Sequence, residues 1–348
     1  MSFKPRNLLN KFSDSIKMKV IVTGGSGFIG SNFIKYLLTD LEINQEICVI
    51  NVDNLSYAGE GKNIEHMNLS WHRNYKFIRA DICDRNFIDW IISEHKPDAI
   101  FNFAAESHVD RSIGDSENFE KSNFLGACNL FKSSMRNNVK KFVQISTDEV
   151  YGSIKNGSFD EESKLNPSSP YSATKAAADL NALALFKTHK FPVIITRSAN
   201  NYGEYQFPEK ILPLFITNLI DGKKVPLMWS EENPGLNVRD WLNIKDNCRA
   251  IWFASQNGDD GNVYNISGEN EQTNINMTRL LLNQFNFGEE MIEKVPHRKA
   301  HDFRYSVSSN KIKKMGFRNM HNDLYKEIKS VAEWYKNNEN WWRPLKVK

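Results

Sequence analysis

The sequence predicts an α/β protein: a doubly wound parallel sheet followed by a smaller, mixed α/β C-terminal domain. Up to about residue 203, short apolar segments typical of buried strands alternate with amphipathic segments typical of helices. Such alternation is typical of parallel sheets with helices on both faces. In addition, polar or glycine-rich residues follow several of these strands directly, and ligands of such sheets bind at the carboxyl ends of the strands.

The first strand, residues 19–23, runs into Gly24-Gly25-Ser26-Gly27-Phe28-Ile29-Gly30 and then into an amphipathic helix. Glycines at 24, 27 and 30 allow a tight turn, close approach to a pyrophosphate and close packing of helix on strand. The first turn of the helix offers unpaired N–H groups and the positive end of its dipole. The order of strand, glycine turn and helix predicts a dinucleotide site of the Rossmann type.

The second strand, residues 47–52, ends in Asp53. A carboxylate at this place accepts hydrogen bonds from the adenosine ribose hydroxyls and repels a 2′-phosphate. The following Asn54 and Leu55 offer no arginine to hold such a phosphate. We therefore predict NAD, and not NADP, as the cofactor.

The next strands bring further residues to the same edge of the sheet. The third, residues 76–79, leads to Asp81 and Ile82, where the Asp81 carboxylate is placed to meet the adenine edge. The fourth, residues 99–103, ends in small residues that let a flat cofactor pass close by. Helices are expected at 84–95, about 116–137 and 172–189, and a sixth strand at 193–197.

Two short motifs carry the chemistry. Tyr171 and Lys175 are four residues apart, so they share a helix face, and a nearby ammonium lowers the pKa of a phenol from about 10. Asp148 and Glu149 follow the apolar run 142–145, and one protonated and one ionised carboxyl make an acid/base pair. A phenolate base beside such a pair suits oxidation coupled to removal of water.

Composition narrows the class of protein. A formal charge of +3 without a concentrated basic patch argues against nucleic acid as a partner, and no apolar run is long enough to span a bilayer. Cysteines 48, 83, 128 and 248 show no metal-ligand spacing, so we predict core thiols, no metal and a cytoplasmic protein. Residues 1–18 lack a signal-peptide core and are read as an N-terminal extension, or as a stretch ahead of a second start at Met18.

The predicted organisation is a cofactor domain over 19–203, to which some later segments return, and a mainly substrate-binding domain over 204–348. A final helix is expected at 322–337 because its apolar residues fall on one face. Basic residues at 210, 239 and 298 suit a diphosphate, since arginine binds phosphate in a bidentate manner.

From about residue 18 to about 340 the chain resembles the extended short-chain dehydrogenase/reductases, and among them the dTDP-glucose 4,6-dehydratases. The motifs that carry this resemblance lie at residues 23–30, 52–59, 104–110, 146–152, 169–175, 200–203 and 207–210. The Thr147-Asp148-Glu149 triplet separates dehydratases from related epimerases, which usually lack the Asp-Glu pair. The resemblance also implies a homodimer built through the helices at about 116–137 and 172–189.

The resemblance implies a mechanism for a nucleotide-diphosphate sugar. Tyr171 takes the proton of the sugar 4-hydroxyl while a hydride passes from C4 to NAD, which stays tightly bound and is regenerated in each turnover. Thr147 hydrogen-bonds that hydroxyl, and Lys175 holds the ribose and lowers the Tyr171 pKa. Glu149 removes the C5 proton, and Asp148 protonates the departing 6-hydroxyl.

The residues expected at NAD are Gly24, Gly27, Phe28, Ile29, Gly30, Asp53, Asn54, Asp81, Ile82, Ala104, Ala105, Tyr171, Lys175 and Asn201. Those implied at the nucleotide sugar are Ser107, Asn200, Lys210, Arg239, Asn274, Arg298 and His301.

One segment departs from the family pattern. Residues 228–241 are longer than the family's stretch and lack its Tyr-Gly, although Arg239-Asp240-Trp241 is kept. The departure leaves open the nucleobase and the sugar, with UDP- and GDP-sugars as alternatives. An epimerase or decarboxylase on the same scaffold, and a non-catalytic NAD-binding protein, are the other hypotheses.

Overall fold

Strands and helices alternate along the first two hundred residues, as the sequence predicts. The computed structural model describes residues 18–41, 47–56, 59, 61–299 and 301–346. Its strands are β1 (Met18–Thr23), β2 (Ile47–Asp53), β3 (Tyr75–Arg79), β4 (Ala99–Asn102), β5 (Lys141–Thr147), β6 (Val193–Ser198), β7 (Asn200–Tyr202), β8 (Val225–Met228), β9 (Val238–Asn243), β10 (Val263–Ile266), β11 (Glu271–Thr273) and β12 (Ile292–Val295).

The helices flank these strands. They are α1 (Phe28–Lys35), α2 (Lys62–His66), α3 (Arg85–His95), α4 (Val109–Gly114), α5 (Glu117–Phe119), α6 (Ala127–Arg136), α7 (Pro170–His189), α8 (Ile211–Ile220), α9 (Ile244–Asn257), α10 (Asn274–Gln284), α11 (Asn310–Lys314), α12 (Leu324–Asn337) and α13 (Glu339–Lys346). Single π-helical turns at Tyr36–Asp40 and Glu120–Gly126 extend α1 and join α5 to α6, and 3₁₀ turns lie at Asp148–Tyr151 and Glu289–Met291.

The central sheet has seven parallel strands in the order β10-β6-β5-β4-β1-β2-β3. The chain winds outward from β1 in both directions, so the strand order reverses between β1 and β4. In doubly wound sheets a ligand binds at this point, outside the carboxyl ends of the strands. The predicted fold class is confirmed.

Side chains that alternate along each strand enter two separate cores. On β1, Val20 and Val22 pack with α1, α9 and α11 on one face, whereas Ile21 packs with α3, α6 and α7 on the other. Strands buried on both faces explain why these segments are apolar throughout rather than alternating with polar residues.

The C-terminal part carries a third core. It lies among α8, α10, α12 and α13, beside a three-stranded sheet β11-β9-β7 and a two-stranded sheet β12-β8. The helix at Leu324–Asn337 is not the final one as expected, because α13 follows after a single residue and buries Trp341 and Trp342.

The boundary at residue 203 stays a prediction. Beyond it, β10 pairs with β6 and so lies in the central sheet. Residues 1–17 of the predicted extension, and Tyr57 and Ala58 of the motif at 52–59, lie outside the described residues. Within the described part, no helix combines the length and the apolar character needed to cross a bilayer.

Candidate active site

The turn after β1 is shaped by glycines with different roles. Gly24 has a φ of 67°, and a Cβ there would lie 2.5 Å from the Ala104 nitrogen. A Cβ on Gly30 would lie 2.3 Å from the carbonyl oxygen of Gly24. By contrast, a Cβ on Gly27 would meet only that same carbonyl, at 3.4 Å. The space above Gly27 is therefore not filled by the protein, as expected where a pyrophosphate approaches the backbone.

Gly27 is also the N-cap of α1, and no side chain caps it. The first N–H groups of the helix therefore lack side-chain acceptors and suit an anion. The turn is held from behind by Asn63, whose amide donates to the Ser26 carbonyl at 3.2 Å and to Ser31 Oγ at 3.3 Å. Asn63 Oδ1 in turn accepts from the indole Nε1 of Trp341 at 3.1 Å, so α13 supports the turn.

Asp53 lies at the end of β2, as predicted, with 7% of its surface exposed. Its Oδ2 accepts the Ser26 N–H at 2.9 Å, and its Oδ1 accepts the Leu55 N–H at 2.8 Å. Burial raises the pKa of Asp53, against these two hydrogen bonds, which lower it. Among the described residues, each carboxylate oxygen accepts one of these bonds and has a second lone pair, so Asp53 can order the glycine turn and still accept from a ribose.

All the residues predicted at the cofactor line one pocket at the carboxyl edge of the sheet. The same pocket is lined by the five predicted catalytic residues and by three of the predicted substrate residues, Ser107, Asn200 and Lys210. The glycine turn, Asp53 and the small residues at 104 and 105 thus fit a dinucleotide, and the pocket continues to the candidate catalytic groups.

Asp148 and Glu149 lie on the 3₁₀ turn after β5, where the Thr147 hydroxyl accepts the Glu149 N–H at 3.2 Å. Burial and the nearby carboxylates of Glu149 and Asp240 raise the pKa of Asp148 well above its usual range. Burial also raises the pKa of Glu149, and Arg298, Arg239 and Lys210 offset only part of that rise. The environment therefore separates the two groups, with the proton held on Asp148.

Helix α7 begins with a capping box between Ser169 and Ser172 and carries Tyr171 and Lys175. Lys175 Nζ donates to the Ile145 carbonyl at 2.6 Å, and burial lowers its pKa to about 8. Burial and the carboxylates of Glu149 and Asp148 raise the pKa of Tyr171 above its ordinary value. The expected lowering of the Tyr171 pKa by Lys175 is thus wrong for the chain alone, because burial and the two acidic neighbours raise that pKa by more than the hydrogen bond with Thr147 lowers it.

Four predicted substrate residues, Arg239, Asn274, Arg298 and His301, do not line this pocket. Arg239 and Arg298 lie beside it, because both act on the pKa of Glu149, and His301 lies near these two arginines. The Arg239 guanidinium packs over the Tyr305 ring at 4.3 Å and donates to the Asp302 carbonyl at 3.0 Å. A stacked, hydrogen-bonded guanidinium has a fixed direction.

Several buried polar atoms around this region have no hydrogen-bond partner in the described part of the chain. They are Asp148 Oδ2, Asn200 Oδ1, Asn201 Oδ1, Asn274 Oδ1 and Arg298 Nε. Leaving a buried polar group unpaired costs about 1–3 kcal/mol. A polar ligand that supplies partners for these atoms fits the site.

In segment 228–241, which departs from the family pattern, Asn233 accepts or donates several hydrogen bonds. Its carbonyl accepts the Ser230 N–H at 3.1 Å and lies 2.9 Å from His297 Nε2. Because a carbonyl only accepts, His297 carries its proton on Nε2 and accepts at Nδ1 from His301, 2.9 Å away. Burial, with Arg239 and Arg298, lowers the His301 pKa to about 3, so His301 stays neutral and its Nε2 is an acceptor.

Sequence reasoning missed some residues at the site. Glu106, Gln206, Glu209 and Asn247 also line the pocket. Glu106 and Glu209 belong to motifs that carried the resemblance, but no spacing marked them individually. His297 gave no signal, since its partner Asn233 is 64 residues away along the chain.

Comparison with known proteins gives consistent matches over most of the chain. A family model described as GDP-mannose 4,6 dehydratase matches residues 21–330. A dTDP-glucose 4,6-dehydratase of Streptomyces niveus is 44% identical over 331 residues, which are 94% of this chain and 96% of that protein.

Among solved structures, the dTDP-glucose 4,6-dehydratase of Streptomyces venezuelae, with NAD and dTDP bound, superposes with a TM-score of 0.87 at 40% identity, covering 94% of this chain and all of that one. A UDP-glucose 4-epimerase of Thermotoga maritima is more distant, at 27% identity and a TM-score of 0.83, covering 92% of this chain and all of that one.

Proposed function

Since this chain belongs to the GDP-mannose 4,6 dehydratase family of short-chain dehydrogenase/reductases, we propose that it is an NAD-dependent dTDP-glucose 4,6-dehydratase. The reaction converts dTDP-glucose to the 4-keto-6-deoxy sugar nucleotide and water. The observation that carries the proposal is the pair Asp148 and Glu149, two carboxyl groups with different surroundings beside Tyr171 in one pocket.

NAD supplies an acceptor for the C4 hydride and later the donor of a hydride to C6. The glycine turn and the first turn of α1 are proposed to hold its pyrophosphate, and Asp53 its adenosine ribose. The unfilled space above Gly27 and the uncapped helix support this assignment. Lys175, whose ammonium is anchored on the Ile145 carbonyl, is proposed to hold the second ribose.

The proposed proton transfers use four side chains. Tyr171 takes the proton of the 4-hydroxyl as a phenolate, a form that the positive charge of bound NAD would favour over the neutral phenol of the chain alone. Thr147 hydrogen-bonds that hydroxyl. The resulting 4-keto group acidifies C5–H, and Glu149 removes that proton. Asp148 gives its proton to the 6-hydroxyl, which leaves as water while a C5–C6 double bond forms. Glu149 later returns its proton to C5, and the proton held by Tyr171 balances the one that Asp148 has lost.

The diphosphate is proposed to lie among Lys210, Arg239 and Arg298. These cations lie close enough to Glu149 to oppose the rise in its pKa that burial causes, and an Arg fork is suited to phosphate oxygens. The dTDP-glucose assignment comes from the relatives. Segment 228–241 departs from the family pattern, and its Asn233 is linked to His301 by hydrogen bonds through His297. UDP- and GDP-sugars are therefore alternative candidate substrates.

We also propose a homodimer, formed through the Glu120–Gly126 turn and α7. Leu125 and Leu180 are 53% and 57% exposed there. Phe119, Phe131 and Ala176 of the same region are buried within the chain and are not available to a partner. A molar mass of one chain by light scattering at micromolar concentration would contradict the dimer.

The function is tested by incubating the purified protein with dTDP-glucose, UDP-glucose, GDP-mannose and UDP-N-acetylglucosamine. Mass spectrometry should show loss of one water from dTDP-glucose, with the highest kcat/KM among the four. Loss of water from another nucleotide sugar alone would change the assigned substrate. A product of unchanged mass but altered sugar stereochemistry would make the protein an epimerase.

A further inference from the structure

The catalytic turn Asp148–Tyr151 is hydrogen-bonded, at both of its ends, to one buried ion pair. Arg197 on β6 donates from Nε to Asp179 Oδ2 on α7 at 2.9 Å. The two side chains are 3% and 0% exposed. Neither residue lines the pocket, so the pair lies behind the site.

On the N-terminal side of the turn, the Ser146 hydroxyl donates to Asp179 Oδ2 at 2.9 Å. On its C-terminal side, the Tyr151 hydroxyl accepts from Arg197 Nη1 at 2.8 Å and donates to Asn265 Oδ1 at 2.9 Å. The Arg197 guanidinium also packs against the Tyr151 ring at 4.8 Å. Between these two anchors lie Thr147, Asp148 and Glu149, and hydrogen bonds to the anchors restrict the positions that the turn can adopt.

A contribution to folding stability does not by itself explain why the chain buries the Arg197–Asp179 ion pair. Taking two charges out of water is expensive, and a buried ion pair replaced by apolar side chains of similar volume often leaves stability unchanged or higher. What an arginine offers here is direction, because its planar fork binds two acceptors at fixed angles. The fork joins Asp179 to Tyr151, and therefore the start of the turn to its end.

We propose that Arg197 and Asp179 are positioning residues for the dehydration step, which hold Asp148 and Glu149 in place between Ser146 and Tyr151. This proposal rests on the proposed function. Asp179 also acts on Lys175, four residues earlier on the same helix, and raises its pKa against the effect of burial. The ion pair thus links the turn that carries the acids to the helix that carries Tyr171 and Lys175.

A direct test removes one hydroxyl at the end of this network. Tyr151→Phe keeps the ring stacked on Phe159 but loses both hydrogen bonds of the hydroxyl. Tyr264→Phe is the matched control, because Tyr264 is equally buried and its hydroxyl accepts the Asp259 N–H at 2.9 Å, on the other face of the sheet.

We expect Tyr151→Phe to lower kcat about tenfold, equivalent to ~1.4 kcal/mol, while KM and NAD content stay those of Tyr264→Phe. The alkaline limb of the kcat profile should move to lower pH, because water that enters a loosened turn makes Asp148 easier to ionise. The groups that face Asp148 are Glu149, Asp240, Thr147, Arg239 and, on α7, Tyr171, and all are unchanged in both variants.

A second measurement does not depend on turnover. Amide hydrogen exchange of the peptide covering 146–152 should be faster in Tyr151→Phe than in the parent, and unchanged in Tyr264→Phe. A double variant, Arg197→Met with Asp179→Leu, removes the pair without leaving one charge alone. It should melt near the parent temperature with a kcat as low as that of Tyr151→Phe.

The outcomes separate the two proposals. If the parent enzyme turns over no nucleotide sugar, the proposed function fails, and the exchange measurement still decides on positioning. If the parent is active but Tyr151→Phe matches Tyr264→Phe in kcat, pH profile and exchange, the ion pair does not position the turn. Equal loss of activity in both tyrosine variants would likewise overturn the proposal.

Discussion

The two sides of the pocket are built in opposite ways. The cofactor side is made largely of backbone and small residues from the first third of the chain, at the ends of β1, β2 and β4. The substrate side is made of long charged side chains from segments as far apart as residues 149, 210, 239 and 298. We therefore expect larger side chains to impair binding on the cofactor side, and loss of functional groups to impair catalysis on the substrate side.

The largest effect is expected on the side built from side chains. Tyr171→Phe removes the base for the 4-hydroxyl, and loss of a general base costs about a hundred- to ten-thousand-fold in rate. We expect kcat to fall by this range while the KM for the nucleotide sugar and the NAD content stay unchanged. The measurement is formation of the dehydrated sugar by mass spectrometry, and a kcat within threefold of the parent, about 0.65 kcal/mol, would remove Tyr171 from its role.

Glu149→Gln should slow turnover by a similar or somewhat smaller factor, because the C5 proton loses its base. The specific signature is incorporation of deuterium from deuterated water. The parent should place deuterium at C5 of the product, whereas substrate recovered from the variant should carry almost no deuterium at C5. The control is Glu106→Gln, which changes another carboxyl of the same pocket. Rapid C5 exchange in Glu149→Gln would show that another group is the base.

On the side built from backbone, one methyl group should suffice. Gly27→Ala has room within the protein, since its Cβ meets only one carbonyl at 3.4 Å, but it enters the space assigned to the pyrophosphate. We expect a folded protein that is purified with little NAD. Gly30→Ala, whose Cβ would lie 2.3 Å from a backbone oxygen, should lose about 1–3 kcal/mol of stability as well.

Melting temperature and the absorbance of nucleotide released by denaturation distinguish these two variants. If Gly27→Ala keeps its NAD and melts like the parent, the pyrophosphate does not approach that glycine. If the melting temperature of Gly27→Ala falls as far as that of Gly30→Ala, the protein itself occupies the space above residue 27.

The smallest expected effect is a gain in stability. Folded Asp148 keeps its proton above the ordinary carboxyl pKa of about 3.9, whereas the unfolded chain releases it, so the folded state loses stability as pH rises above that value until the folded pKa is reached. Asp148→Asn has no proton to lose. Its stability relative to the parent should therefore rise from pH 4.5 to pH 7, while its activity falls.

Asp98→Asn provides the opposite sign. Burial raises the pKa of Asp98, but hydrogen bonds from Lys140 and the Lys19 N–H leave it lowered. Asp98→Asn should thus lose stability relative to the parent, and the loss should grow as pH rises from the lowered folded pKa to the ordinary carboxyl pKa of about 3.9 and stay constant above it. Thermal unfolding of both variants at several pH values measures the contrast, and parallel curves would contradict the asymmetry of Asp148.

The same contrast explains what sequence reasoning could reach. The glycine turn, Asp53 and the Tyr171–Lys175 spacing are local patterns, and each lies where it was expected in the fold. The net pKa of Tyr171 depends on burial and on Asp148 and Glu149 approaching from another element, which spacing does not show. Arg239, Arg298 and His301 were reached through family resemblance, because their partners come from distant loops.

The glycine turn at the cofactor site depends on helix α13 for part of its hydrogen bonding. Trp341 completes the hydrogen bonds of Asn63, which holds Ser26 in the glycine turn. During synthesis, therefore, the glycine turn lacks part of its support until Trp341, 278 residues after Asn63, has left the ribosome. A truncated or stalled chain would release an incomplete nucleotide site, so NAD binding reports that the C-terminal residues are present and docked.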